Sequence, residues 1–142
     1  MTRTESALEG FNRGFNCAQA VLSAFAGDLG MDRETAMRIA SGFGAGLGRK
    51  REICGAVSGA VMVLGLARGG GETPEKVKEN NREIYRKIQE ITGPFAEEKG
   101  SLICMDLLKG CTVPPGGDLR QRCCAGLVAL SCSLLEKSLV VG

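Results

Sequence analysis

The spacing of apolar residues is helical nearly everywhere along the chain, and no window alternates apolar and polar residues as a half-buried strand would. The pattern predicts a first helix from about Glu5 to Ala26, with a break near Gly14. A short second helix is expected to open at Asp32, because aspartate is a good N-cap residue. Three of its residues are expected to face the core: Ala36, Met37 and Ile39. The N-terminal part of the chain is therefore expected to be helical.

In the middle of the chain, the spacing of apolar residues predicts two further helices. One begins near Ile53 and runs to about Gly65. The next begins at Thr73-Pro74-Glu75, where a capping hydroxyl precedes a proline at the first helical position. We expect this helix to end at Gly93-Pro94, since proline cannot donate the next helical hydrogen bond. Its apolar face is expected to carry Val77, Ile84, Tyr85, Ile88 and Ile91.

The C-terminal part predicts a short helix over about Leu102 to Leu108, a loop over Gly110 to Gly117 and a last helix. Asp118, followed three residues later by Gln121, is a plausible cap for that last helix. One domain is expected over residues 1–142, since about 100–200 residues per domain is usual. The sequence therefore predicts an all-α, single-domain bundle of about five or six helices.

Charge and hydropathy exclude several classes of protein. The chain has 18 Lys and Arg against 16 Asp and Glu, which argues against a nucleic-acid surface. Arg49, Lys50 and Arg51 form a short cationic run, which we interpret as a solvated turn. The stretch from Ile53 to Ala67 is too short to span a bilayer, and the polar N-terminus lacks a signal-peptide core. We expect a cytoplasmic protein that binds neither nucleic acid nor membrane.

Cysteine is the residue type that carries candidate chemistry. The chain has seven cysteines and no histidine, so sulfur is left as the main reactive element. No Cys-x-x-Cys pair and no paired zinc-knuckle spacing occurs, so any site must be built from separate helices. Four cysteines lie far apart beside predicted helices: Cys17, Cys54, Cys104 and Cys124. Such thiols could form a reversible disulfide, or bind an iron–sulfur cluster or another metal.

The individual cysteines are expected to differ. Cys54 lies at a helix N-terminus, where free amide groups favour a thiolate, so we expect it to be the most nucleophilic thiol or the key ligand. Cys132 is expected to be a core residue, and Cys111 an exposed and incidental one. Cys123 and Cys124 point about 100° apart on a helix, so only one of them is expected to face the site.

Two glycine-rich segments are candidates for close approach to a cofactor or to a neighbouring helix. The segment from Gly42 to Gly48 matches neither the dinucleotide fingerprint nor the Walker pattern, and we interpret it as a loop. The helix after Cys54 has small residues along one strip, which allows either tight helix crossing or contact with a cofactor. The candidate cofactor-binding residues are Gly44, Gly46, Gly55 and Gly59.

The cysteine-containing segments together resemble a family of redox-active proteins marked by four cysteines and a Cys-Gly-Ala-x-x-Gly element. Residues 54–59, Cys-Gly-Ala-Val-Ser-Gly, are similar to that element. Residues 16–21 resemble the first cysteine helix of the family, residues 104–108 the third, and Cys124 with Val128 the fourth. The resemblance covers about Gly14 to Leu135 and implies a redox-active or metal-binding role. A related region occurs in split-Soret cytochromes, where a non-haem iron–sulfur centre has been proposed.

Two functions of different class follow from the sequence. In the first, Cys17, Cys54, Cys104 and Cys124 converge on one thiol–disulfide or iron–sulfur centre, with the loop from Gly42 to Gly48 beside it. Covalent c-type haem is excluded, because the chain has no histidine. In the second, the chain is a binding or oligomerisation module whose cysteines fill the core. The first requires an unknown redox partner; a homodimer and the choice between oxidoreductase and electron carrier are left open.

Overall fold

The computed structural model describes residues 1–118 and 120–140, and in them it is helical with no strand, as the sequence predicts. The helices are α1 (Arg3–Asn12), α2 (Cys17–Ala26), α3 (Arg33–Ala40), α4 (Gly55–Arg68), α5 (Pro74–Lys99), α6 (Cys104–Lys109) and α7 (Ala125–Val140). This count of seven exceeds the predicted five or six, because the first predicted helix is two helices. No helix in the described ranges is both long and apolar enough to cross a membrane.

The break between α1 and α2 sets the position of the first site cysteine. Gly14 has a φ of +108°, a backbone angle that residues with a Cβ rarely adopt. Asn16 then caps α2: its Oδ1 accepts from the Gln19 N–H at 2.8 Å, and the Gln19 Oε1 accepts from the Asn16 N–H at 3.0 Å. This reciprocal capping box places Cys17 at the first position of α2.

Close packing of α2 against α4 forms the centre of the core. An added Cβ on Gly59 of α4 would lie 2.9 Å from both the carbonyl oxygen of Ala18 and the Cβ of Val21. Only glycine therefore permits this separation of the two helices. Ala18 and Val21 are fully buried, so the contact belongs to the protein interior. The predicted strip of small residues on α4 thus serves, at Gly59, the packing of one helix on another.

Replacing Gly59 by alanine is expected to lower the free energy of unfolding by about 1–3 kcal/mol, because the added methyl overpacks the α2–α4 contact. Gly65→Ala, on the same helix, is the matched control, since its Cβ would meet no atom within 4 Å. That change should raise the free energy of unfolding by up to about 1 kcal/mol through helix propensity. Urea unfolding of both variants checks the difference, and equal effects would contradict this packing argument.

The predicted end of the fourth predicted helix at Gly93-Pro94 is wrong, because this helix, observed as α5, continues to Lys99 with Pro94 inside it. Proline in a helix interior removes one backbone hydrogen bond and costs about 3 kcal/mol. Ile91 and Phe95 on either side of it are both fully buried, and each such burial stabilises by about 1.5–3 kcal/mol. The free energy gained by burying Ile91 and Phe95 therefore offsets the free-energy cost of Pro94 in the helix.

Two predicted core residues are exposed. Tyr85 is 59% and Ile39 is 49% exposed. On α5 the buried stripe passes through Ile84, Ile91 and Phe95, and Tyr85 lies about 100° away from Ile84 around the helix. On α3 the buried positions are alanines, Ala36 and Ala40, and Ile39 precedes the second of them. The predicted helices are therefore present, but the buried face of each helix is centred on other residues than the sequence pattern predicts.

Candidate redox site

The four predicted cysteines lie at or next to helix starts. Cys17 is the first residue of α2, Cys54 is the N-cap of α4, and Cys104 is the first residue of α6. Cys124 ends a π-helical turn, Arg120–Cys124, which leads directly into α7. Free backbone amides at a helix start stabilise negative charge on sulfur. The fold therefore brings three helix beginnings and one junction between a π-helical turn and an α-helix, each with a thiol, to one region.

The four sulfur atoms interact with one another. The thiol of Cys17 donates a hydrogen bond to the sulfur of Cys124. Cys54 interacts electrostatically with Cys17, Cys104 and Cys124. The structure thus brings the four sequence-predicted cysteines into one cluster, which we call the thiol cluster. The catalytic and ligand roles assigned to them from the sequence remain predictions.

Backbone pairing holds Cys54 and Cys104 near each other. The Cys54 N–H donates to the Leu102 carbonyl at 2.8 Å, and the Cys104 N–H donates to the Glu52 carbonyl at 2.6 Å. Ile53 and Ile103 form an isolated antiparallel bridge between them. Residues separated by about fifty positions in sequence are therefore fixed side by side, and local sequence patterns carry no signal for this pairing.

The glycine-rich loop adopts an unusual left-handed conformation beside the cluster. Ala45, Gly46, Leu47, Gly48 and Arg49 have consecutive φ values of 54°, 65°, 70°, 55° and 73°. Each non-glycine residue in this region costs about 1–2 kcal/mol. Strain of this kind persists where surrounding contacts hold it, and it concentrates at functional sites. This loop therefore approaches the cluster as predicted, but as a left-handed turn.

The candidate cofactor-binding glycines have protein atoms beside them. An added Cβ on Gly44 would lie 2.5 Å from the side chain of Asn16, and one on Gly46 would lie 2.8 Å from the Cβ of Cys104. A Cβ on Gly55 would lie 3.2 Å from the Cβ of Cys17. Gly46 and Gly55 therefore allow close approach to members of the thiol cluster, and Gly44 allows close approach to Asn16, the residue before Cys17. Their predicted contact with a cofactor remains a prediction.

Cys124 is the most acidic of the thiols whose pKa is shifted. The hydrogen bond from Cys17, followed by the positive charges of Arg120 and Arg51, lowers the pKa of Cys124 to about 7, although burial opposes the shift. The same hydrogen bond, with burial, raises the pKa of Cys17 well above its usual range. Cys17 thus keeps its proton more tightly, and Cys124 is the thiol of the two that ionises first. As Cys124 ionises, the two cysteines become a thiol–thiolate pair.

The pKa of Cys54 is raised, which contradicts its expected role as the most nucleophilic thiol, whereas its alternative role as the key ligand stays a prediction. The backbone N–H groups of Ala56 and Val57, at the start of α4, lower the pKa of Cys54, as a helix start should. Burial is the larger effect and raises the pKa of Cys54 to about 11. The Cys54 side chain is only 3% exposed, so water cannot stabilise its charged form. Cys54 is therefore a neutral, shielded thiol near neutral pH.

Cys17 and Cys124 face a cavity of about 390 Å³. Its walls also include the side chains of Asn16, Arg51 and Arg120. Cys54 and Cys104 are not among its lining residues and are buried. A small molecule or a protein side chain can therefore reach the thiol–thiolate pair through the cavity, while the second pair is shielded.

Two arginines of the cavity are functional candidates that sequence reasoning missed. The Arg120 guanidinium donates to the carbonyls of Phe11 and Phe15 and lies 3.6 Å from the centroid of the Phe11 ring. Arg51 was interpreted as part of a solvated turn, but it is half-buried and its Nη1 donates to the Cys104 sulfur at 3.7 Å. Neither role has a local sequence signal, since both depend on contacts with distant residues.

Cys111 and Cys123 form a disulfide with a Cα–Cα distance of 6.1 Å. The interpretation of Cys111 as incidental is therefore wrong, and Cys123 takes part in a sulfur pair of its own. It leaves Cys124 as the fourth member of the thiol cluster. The available signal was a separation of 12 residues across a loop containing Pro114-Pro115, a length that a tight loop can close. Cys132 is fully buried in the core, as expected.

The described residues provide no ready arrangement of metal ligands. In residues 1–118 and 120–140, no three Cys, Asp or Glu side chains are placed as ligands of one metal ion. Tetrahedral metal sites and iron–sulfur clusters need three or four such ligands at bonding distance. The predicted iron–sulfur or metal centre therefore stays a prediction.

The chain matches a known protein family. Residues 15–138 match the model of a family described as "Putative redox-active protein (C_GCAxxG_C_C)". The chain has Cys54-Gly55-Ala56 where the signature in the family's description has Gly-Cys-Ala. No curated protein and no solved structure matches the chain. The match includes all four members of the thiol cluster.

Proposed function

The chain belongs to this redox-active family, and from that premise we propose that Cys17 and Cys124 form a reversible dithiol–disulfide couple that exchanges electrons with a disulfide substrate or partner. The observation that carries the proposal is that Cys17 and Cys124 line one cavity, where their thiols interact closely enough to shift each other's pKa. Two neighbouring thiols need little movement to form a bond, and a stabilised thiolate is the nucleophile of such exchange.

The exchange proceeds in two steps. The Cys124 thiolate attacks one sulfur of a disulfide R–S–S–R, the S–S bond breaks, and one R–S⁻ leaves as a mixed disulfide forms. The Cys17 sulfur then attacks the Cys124 sulfur and releases the second R–S⁻. The proton of Cys17 passes to one released thiolate, and the solvent, which took up the proton of Cys124 when that thiol ionised, protonates the other. The net change is oxidation of two protein thiols and reduction of one disulfide to two R–SH, a transfer of two electrons.

The environment of the pair favours both steps. Before the first step, the charge on Cys124 helps to hold the proton on Cys17, so that one nucleophile is formed at a time. Once Cys124 is in a mixed disulfide, that charge is gone and Cys17 can lose its proton more easily. The guanidinium groups of Arg51 and Arg120 at the cavity stabilise negative charge on Cys124, and they would act likewise on a departing thiolate.

Mapping of disulfides tests the couple. The described structure has five free thiols, and oxidation with glutathione disulfide under anaerobic conditions is expected to remove two and to link Cys17 to Cys124. Cys132→Ala is the control, because it removes one buried thiol and should keep the couple. Cys17→Ser should instead stop at a mixed disulfide on Cys124.

Metal analysis and a visible spectrum of anaerobically purified protein decide between the couple and the predicted cluster. Stoichiometric iron with sulfur-to-iron charge-transfer bands would replace the dithiol proposal by an iron–sulfur centre. A protein without metal in which no thiol pair oxidises would overturn both, and would favour cysteines that only fill the core.

A further inference from the structure

The Cys111–Cys123 disulfide lies outside the thiol cluster but next to it. Cys123 directly precedes Cys124 in the π-helical turn, so the two neighbouring residues take part in different sulfur pairs. Leu108 precedes the loop that contains Cys111, and Asp118 follows it, and both residues line the cavity. The disulfide therefore joins the loop at the rim of the cavity to the turn that carries Cys124.

Few other contacts hold this loop. Among the described residues, 112–117 make one hydrogen bond, from the Gly117 N–H to the Pro114 carbonyl, and it lies within the loop. Most of these residues are exposed, and none of them belongs to the hydrophobic core. The Cys111 N–H bonds only to the adjacent Leu108 carbonyl. The disulfide is thus the main tie between the loop and the rest of the molecule.

The π-helical turn is fixed at both of its ends. Arg120, at its start, is held by the carbonyls of Phe11 and Phe15, and Cys123, near its end, is held by Cys111. A π-helical turn contains one residue more than the α-helical turn and is frequent at functional sites. Breaking the disulfide frees one end of the turn, and Cys124 lies at that end.

From these contacts we propose that Cys111 and Cys123 are a second redox site, reduced by an external dithiol, and that its reduction releases the loop and opens the cavity to larger substrates. A thiolate of the dithiol attacks the half-buried sulfur of Cys111, the Cys111–Cys123 bond breaks, and Cys123 leaves as a thiolate next to the exposed Arg122. The second thiol of the dithiol then displaces Cys111. The dithiol becomes a disulfide, and Cys111 and Cys123 each take up one proton.

The proposal that this disulfide controls access to the cavity, its controlling role, rests on the proposed function of Cys17 and Cys124. The proposal that the disulfide can be reduced does not. Native protein is treated with dithiothreitol, and the Cys111–Cys123 disulfide is followed by differential alkylation and peptide mapping. We expect it to open under native conditions, and hydrogen exchange over the described residues of 108–124 to become about tenfold faster. A disulfide that opens only after unfolding would show that it is structural and would overturn the proposal.

Access to the cavity is measured by labelling Cys124 with a bulky maleimide and with the small reagent iodoacetamide. Reduction is expected to increase the bulky labelling rate about tenfold and to change the small-reagent rate much less. The double variant Cys111→Ser, Cys123→Ser should label like the reduced protein even without dithiothreitol, and Cys132→Ala should label like the wild type. If the double variant does not fold, reduced wild-type protein supplies the same comparison.

The results separate the two proposals. Reducible Cys111–Cys123 with faster loop exchange, but without a Cys17–Cys124 disulfide after oxidation, would contradict only the proposed function. Opening of the disulfide with unchanged bulky labelling would contradict the controlling role.

Discussion

Alkylation of the reduced protein by iodoacetamide is expected to occur first at Cys124 and to accelerate roughly 100-fold between about pH 5 and pH 8. The reagent reacts with the thiolate, and the pKa of Cys124 is lowered to about 7. Below this value the cysteine is a slowly reacting thiol, and above it the rate reaches a plateau. Cys54, with its pKa raised to about 11, should remain unreactive across the same range. Mass spectrometry of quenched samples identifies the alkylated residue at each pH.

The hydrogen bond from Cys17 is the largest cause of the lowered pKa, so Cys17→Ala is expected to move the midpoint of the alkylation profile to higher pH. Cys17→Ser keeps a donor at this position and should move the midpoint less. Cys132→Ala is the matched truncation outside the thiol cluster and should leave the midpoint of the alkylation profile unchanged. An unshifted midpoint in Cys17→Ala, or first reaction at Cys54, would contradict the thiol–thiolate pair.

Gly46→Ala is expected to lower the free energy of unfolding by about 3 kcal/mol or more, the largest effect among the glycine variants. The φ of Gly46 is +65°, which costs an alanine about 1–2 kcal/mol. The added Cβ would also lie 2.8 Å from the Cβ of Cys104 and 2.8 Å from the backbone nitrogen of Glu52. Because the Glu52 nitrogen belongs to the backbone, relief of the clash requires the chain beside the cluster to move.

Gly48→Ala separates these two causes. Gly48 has a φ of +55°, but an added Cβ would meet only the Gly42 carbonyl, at an ordinary 3.5 Å. This variant should lose only the about 1–2 kcal/mol of the left-handed angle. Urea unfolding measures both variants, and the Cys124 alkylation profile shows whether the site has moved. Equal stability losses would mean that the close approach of Gly46 to Cys104 has no energetic weight.

Much of the fold was readable from the chain because the signals are local. The helical spacing of apolar residues, the break at Gly14 and the start at Thr73-Pro74 all depend on residues within a few turns of each other. The family resemblance is local in the same sense, since it consists of short cysteine segments in order. The end of α5 was predicted wrongly because burial of Phe95 by distant residues outweighs the local signal of Pro94.

The candidate site was readable only as a list of residue types. That Cys17, Cys54, Cys104 and Cys124 carry chemistry follows from their number, their helix starts and the absence of histidine. Which of them is acidic does not follow, because the pKa depends on burial and on neighbours from other helices. The helix start predicted Cys54 as the thiolate, whereas contact with Cys17 and two arginines selects Cys124.

The sequence by itself determined an all-helical chain of this family, with four separated cysteines and glycines that allow close approach. Only the tertiary structure decided that Cys17 contacts Cys124, that Cys111 pairs with Cys123, and that Arg51 faces the cavity. The physical reason is the range over which each interaction acts along the chain. Helix formation, capping and glycine backbone angles are set by near neighbours in the chain, whereas desolvation, thiol–thiol contact and charge stabilisation are set by neighbours in space.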